Sequence, residues 1–146
     1  MSIATDWLLA KTNEAEAVAS IVTTEQRSLE DWPHLTLEGI GELELQDLAS
    51  ALHPESAAPE VPTALGELLF QGSDEGPFVA ALADDFVERL ATAPDSTIPA
   101  IAATWHRSEH LAPLPVSEVV EMLRSIVAFT RRSRATGIPI LQLMTM

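Results

Sequence analysis

The residues with the most definite chemistry are the five from His106 to His110, which match the inverted zinc-protease pattern His-x-x-Glu-His. Two histidines four positions apart share one helix face and could bind a zinc ion. Glu109, between them, could polarise a zinc-bound water for hydrolysis. The pattern therefore raises the hypothesis of a zinc-dependent hydrolase that uses His106, Glu109 and His110.

The surroundings of this pattern favour a simpler interpretation. It falls in the last turn of a predicted helix, just before Pro113, where fraying would loosen the ligand geometry. The downstream acids Glu118 and Glu121, which could supply a third ligand, lie at the start of the next predicted helix. We therefore expect a solvated helix end with incidental histidines, with no metal and no cofactor.

Other catalytic signatures are missing from the chain. It has no cysteine, which excludes thiolate nucleophiles and cysteine zinc sites. No serine occupies a Gly-x-Ser-x-Gly elbow, and neither a Gly-x-Gly-x-x-Gly stretch nor a P-loop is present. We predict no catalytic residues and expect a protein that is not an enzyme.

The basic residues are concentrated near the C-terminus. Four of the eight lie within eleven positions, and the last 23 residues contain no acid. The first 123 residues carry all 22 carboxylates. Such segregation of charge says more about association than about catalysis. The clustered residues are Arg124, Arg131, Arg132 and Arg134.

Helical angles separate these four arginines. Arg134 falls on the same side as an apolar stripe that we expect to be buried. We therefore predict that the chain itself holds Arg134, through Asp74 or Glu75. The stripe comprises Val119, Leu123, Ile126 and Thr130. The arginines that face away from it are predicted to meet solvent or a partner, and these are Arg124, Arg131 and Arg132.

The overall charge points to a basic partner. A net charge of −14 and a pI near 4.4 disfavour nucleic acid as a partner, because phosphate neutralisation needs a broad basic surface.

A hydrophobic content of 47% favours a folded globular protein. The N-terminal residues resemble neither a signal peptide nor a membrane span, so a cytoplasmic protein without membrane association is expected.

Hydrophobic periodicity predicts a single α+β domain over residues 1–146. Residues 22–41 are expected to form a long connection with one extended piece, and 54–66 a loop whose role the sequence does not define. Strands are predicted at 3–9, 68–71, 78–82 and 138–144, and helices at 13–20, 42–52, 84–92, 95–110 and 117–136. Asn13 is expected to cap the first helix, Asp84 or Asp85 to start the third, and Gly137 to end the last. We thus expect a small sheet of about four strands packed against about five helices. The predicted core contains Trp7, Leu48, Phe78, Phe86, Trp105, Leu123, Val127 and Leu141.

The order of elements in residues 67–146 carries a resemblance. A strand is followed by SDEGPFVAAL, an acid-started helix, a helix with a tryptophan near its end, and a long helix leading into GIPILQLM. This arrangement resembles small uncharacterised bacterial proteins and, distantly, the YfbM-like family of unknown function. The resemblance implies an α+β domain and a bacterial cytoplasm, and it brings no catalytic residues.

Three functions are consistent with the sequence. The first is a non-enzymatic acidic interaction module of immunity, antitoxin or regulatory type, whose acidic face meets a basic protein. The second is the zinc-dependent hydrolase described above. The third is a structural subunit that works only as a homo-oligomer.

Overall fold

A five-stranded antiparallel sheet forms the centre of the protein, with strand order β2-β1-β5-β4-β3. The computed structural model describes residues 4–23, 28–52, 64–74, 76–109 and 111–144. Because β1 and β5 occupy interior positions, their apolar residues are buried on both faces. The strands are β1 (Ala4–Leu9), β2 (His34–Glu38), β3 (Leu65–Gln71), β4 (Phe78–Leu82) and β5 (Ile140–Met144).

Helices cover the two faces of the sheet unequally. Trp7, Leu82 and Ile140 on one face pack into a large core with residues of four helices. Leu8 and Leu141 on the opposite face pack with residues of a single helix. That single helix is α1 (Ala15–Thr23), and the other four are α2 (Glu42–Ala51), α3 (Asp84–Thr92), α4 (Ile98–Trp105) and α5 (Val116–Thr136).

The larger core is organised around two buried tryptophans. The Trp7 ring meets Phe86 of α3 edge-on, with ring centroids 6.2 Å apart. The Trp105 indole Nε1 donates a hydrogen bond of 2.8 Å to the backbone oxygen of Glu44 in α2. Thr5 Oγ1 donates to the backbone oxygen of Ile40 at 2.6 Å, which fixes the connection between β2 and α2. The first of these hydrogen bonds ties α4 to α2, and the second ties the entry of α2 to the sheet.

The predicted α+β class and most of the predicted core are confirmed. Of the predicted core residues, Phe78 is only partly buried and the others are buried. The described residues contain one more strand than expected, because the extended piece in the 22–41 connection is β2. The predicted 54–66 loop overlaps β3, which begins at Leu65, while residues 53–63 lie outside the described ranges.

Two helix starts differ from prediction because short 3₁₀ turns precede them. The turn Thr12–Glu14 comes before α1, and the Lys11 N–H donates to Glu14 Oε1 at 2.9 Å, so the N-cap is not Asn13. A second turn, Asp95–Thr97, precedes α4, which ends at Trp105. The helix predicted for 95–110 is therefore shorter, and Pro99 lies in its first turn, where no N–H partner is lost.

Gly137 ends α5, as its position in the sequence predicts. Its φ of 74° lies in the left-handed region, and its N–H donates to the backbone oxygen of Ser133 at 2.9 Å. A Cβ at this position would meet nothing within 4 Å, so the backbone conformation alone opposes a side chain there.

We expect Gly137→Ala to lower the free energy of unfolding by about 1 kcal/mol, because alanine is strained at positive φ. Urea unfolding followed by tryptophan fluorescence measures the change. Ala135→Gly, at an exposed position in the last turn of α5, is the matched control. Its cost should come from helix propensity alone, also about 1 kcal/mol or less near a frayed end. A Gly137→Ala protein as stable as the parent would contradict the strain argument.

Candidate functional site

The arginines of α5 are not equally available, and Arg131 is the most constrained. Its Nε donates to the backbone oxygen of Ala91 at 3.2 Å, and Nη2 donates to that of Ala93 at 2.7 Å. Its Nη1 pairs with Asp95 Oδ1 at 2.9 Å. Arg131 is exposed, but its guanidinium donors are engaged within the chain, and its contact with a partner stays a prediction. Helical angle alone ignores the end of α3, which packs beside this part of α5.

Arg134 is held, but differently from the prediction. Its Nη2 lies 3.6 Å from Glu88 Oε1 on α3, and both side chains are about half exposed or more. The predicted partner Asp74 makes no ion pair among the described residues, and the other, Glu75, lies outside them. Because α3 and α5 are neighbours, Arg134 pairs with Glu88 of α3 and not with the turn between β3 and β4.

The Arg134–Glu88 pair borders an open groove of about 390 Å³. Its lining combines carboxylates of α3, the last turn of α5, and apolar residues of β4, of β5 and of the segment between α5 and β5. The ion pair between Arg134 and Glu88 is long and exposed, so it contributes little to the stability of the fold. The groove is lined chiefly by Leu82, Asp84, Val87, Glu88, Arg134 and Ile138.

Arg124 and Arg132 remain available. Both are exposed, and neither makes an ion pair or side-chain hydrogen bond with another residue in the described part of the chain. They stay candidate partner-binding residues, as does Arg131, whose donors already bind within the chain.

One residue of the candidate zinc pattern, His106, is engaged in a hydrogen bond within the chain. His106 Nε2 lies 2.7 Å from the backbone oxygen of Leu114, so this nitrogen carries the proton and donates it. The bond ties the end of α4 to the segment that enters α5. Glu109 is exposed, and His110 lies outside the described residues. Across the ranges that the structure describes, no group of three or more histidines, aspartates and glutamates could hold a metal ion.

The outer face of α2 combines acidity with an exposed apolar side chain. Leu43 is 71% exposed, more than any other exposed large hydrophobic residue in the described chain. Its neighbours Glu42 and Asp47 are also exposed. We call these three residues, together with Ser50, the α2 outer face. Sequence analysis missed Leu43, although its position off the apolar stripe Leu45, Leu48, Ala49 and Leu52 was a usable signal.

A shallow groove of about 320 Å³ adjoins the α2 outer face. Asp47 and Ser50 form one wall, and Thr104 and Arg107 at the end of α4 form the other. Arg107 is exposed and makes no ion pair with another described residue. The groove therefore offers charges of both signs beside the exposed leucine, an arrangement suited to contact with a polypeptide chain.

Comparison with known proteins adds no relative. No family model matches the chain, and neither the curated proteins nor the solved structures contain a significant match. The relation to the YfbM-like family accordingly stays a hypothesis. No helix within the described ranges is long and apolar enough to cross a membrane.

Proposed function

We propose that the protein is a non-enzymatic acidic interaction module, of immunity, antitoxin or regulatory type, that binds a basic protein partner. The observation that carries this proposal is the α2 outer face, where Leu43 stands exposed between two carboxylates. A large apolar side chain surrounded by charge is typical of an interface anchor with a polar rim. Acidic rims steer and select basic partners.

The distribution of the arginines supports the sign of the partner's charge. Arg89 pairs with Asp85, Arg131 with Asp95 and Arg134 with Glu88, all on the α3 side of the molecule. These pairs cancel positive charge locally and leave the carboxylates of the α2 outer face without a cation of the described chain in contact.

Charge reversal on α2 tests the proposal. We expect Glu42→Lys/Asp47→Lys to reduce partner retained from native cell extract about fivefold at low salt, because two rim attractions become repulsions. Leu43→Ser should reduce retention in both low and high salt, because an apolar anchor is not screened. Quantitative mass spectrometry of the captured proteins measures both effects.

The matched control is Glu118→Lys/Glu121→Lys, which changes net charge equally at exposed positions on α5. It should leave the specific partner bound. Equal losses for the α2 and α5 variants would show that bulk charge, and not the α2 outer face, selects the partner. Circular dichroism confirms that each variant is folded.

A further inference from the structure

The strand β2 is an open edge of the sheet with a regular hydrogen-bonding pattern. Its only neighbour in the described sheet is β1, with Trp7 opposite Leu35 and Leu8 opposite His34. The Leu9 N–H donates to the backbone oxygen of Pro33 at 2.9 Å, which sets the alternation of the ladder. Leu35 therefore turns its backbone N–H and C=O toward β1, as does Leu37 two residues on.

The remaining residues of β2 turn their backbone groups outward. By the same alternation, His34, Thr36 and Glu38 direct N–H and C=O away from β1, toward the free edge. Their side chains are exposed, on the face of the sheet that carries Leu8 and α1. Thr36 Oγ1 donates to Asp6 Oδ1 at 2.6 Å, which holds the centre of this row in place.

The two edges of the sheet differ in their protection. At the other edge, β3 is irregular, with shifts of register between Leu65 and Leu68 and between Leu68 and Phe70. Such bulges disturb an edge and hinder pairing with another chain. β2 pairs with β1 without a shift, and its five residues include neither proline nor lysine. Within the described sheet, β2 is thus the edge fit to accept a strand.

The sequence of β2 is complementary to itself. It reads His34-Leu35-Thr36-Leu37-Glu38, with the two leucines placed symmetrically about Thr36 and an imidazole and a carboxylate at the two ends. If a second copy pairs antiparallel about that centre, each His34 lies opposite Glu38 of the second copy. When the His34 imidazole is protonated, opposite charges face one another across the strands, which is stabilising. The leucines also face one another, which would cover Leu35, now only partly buried.

The direction of the backbone groups fits the same pairing. Thr36 would face its own equivalent as a hydrogen-bonded pair, because its N–H and C=O point outward. The His34–Glu38 pairs on either side would be hydrogen-bonded pairs as well. Every outward N–H and C=O of the three residues would then find a partner without any change in the strand.

We propose that two copies of the chain associate through β2 to form a two-fold symmetric dimer with one continuous sheet. A second copy fits better than an unrelated strand because the His34 imidazole and the Glu38 carboxylate face one another only when the strand meets itself in reverse. The association is isologous, so it closes at two copies and does not extend into a fibre.

Cysteine cross-linking tests the register, because the chain contains no cysteine of its own. In the proposed dimer the two Thr36 Cα atoms lie about 5.5 Å apart, which suits a disulfide. Thr36→Cys should therefore form a covalent dimer rapidly under dissolved oxygen. Glu67→Cys, an exposed position on β3, is the control and should cross-link only slowly. Equal rates for the two variants would overturn the proposal.

Charge exchange tests the complementarity. His34→Glu places two carboxylates opposite one another, and Glu38→Lys removes the carboxylate that faces His34, so each variant alone should raise the dimer dissociation constant about tenfold in sedimentation velocity. An equimolar mixture of the two variants places the introduced glutamate opposite the introduced lysine and should form a heterodimer. A parent chain that stays monomeric over the whole concentration series, or single variants that dimerise as the parent does, would refute pairing through β2.

Discussion

Replacing Gln142 with leucine will lower the free energy of unfolding by about 2 kcal/mol, although leucine is apolar and of similar size. Gln142 lies in the centre of β5 and is 1% exposed. Its Oε1 accepts a hydrogen bond of 2.9 Å from the Trp7 indole Nε1, which is buried too. Leucine would leave that indole N–H without an acceptor, and a buried donor without a partner bears its full desolvation cost.

The same substitution should cost almost nothing when Trp7 is phenylalanine. In the Trp7→Phe background there is no indole donor to satisfy. Gln142 Nε2 is buried and without a partner in the described structure whichever residue stands at position 7, so its removal by leucine cancels in the comparison of the two backgrounds. A double-mutant cycle by urea unfolding should thus give a coupling energy of about 1–2 kcal/mol. Additive effects of the two substitutions would show that the hydrogen bond contributes nothing.

Arg131→Ala should lower the free energy of unfolding by about 1.5 kcal/mol, since hydrogen bonds to a charged group contribute more than neutral ones. Arg131 donates to the backbone oxygens of Ala91 and Ala93 at the end of α3 and pairs with Asp95. It therefore caps the carboxyl end of a neighbouring helix, where carbonyls lack partners and positive charge is favoured. The side chain is partly exposed, which limits the effect.

Arg134→Ala is the matched comparison within the same helix. Its contact with Glu88 at 3.6 Å is exposed on both sides, so we expect a loss of no more than about 0.5 kcal/mol. Arg131→Lys should not restore stability, because one ammonium group cannot reproduce the three directions of the guanidinium. Thermal and urea unfolding should show a small loss of stability for Arg134→Ala and larger losses for the two Arg131 variants. A larger loss for Arg134→Ala than for Arg131→Ala would support the helical-angle argument over the observed contacts.

The local sequence was sufficient to predict features that depend on a single helix, such as its buried face and its ends. The stripe of Val119, Leu123, Ile126 and Thr130 predicted the buried face of α5. Gly137 predicted where α5 ends. The acids at Asp84 and Asp85 predicted the start of α3. In each case the signal and the structure lie within a few residues of each other, because helix periodicity and capping are short-range effects.

Contacts between distant segments were decided only by the tertiary structure. β2 is five residues long, and it becomes a strand through pairing with β1, some thirty positions away. The acceptors of Arg131 lie about forty positions away, at the end of α3. The sequence does not show that α3 packs beside α5. Leu43 is exposed because α2 packs through its other face. The residue types and spacings thus determined the elements and their buried faces, whereas packing determined which charges are engaged and which surfaces remain open. Pairing partners are set by the global arrangement, whose long-range contacts leave no periodic trace in the local sequence.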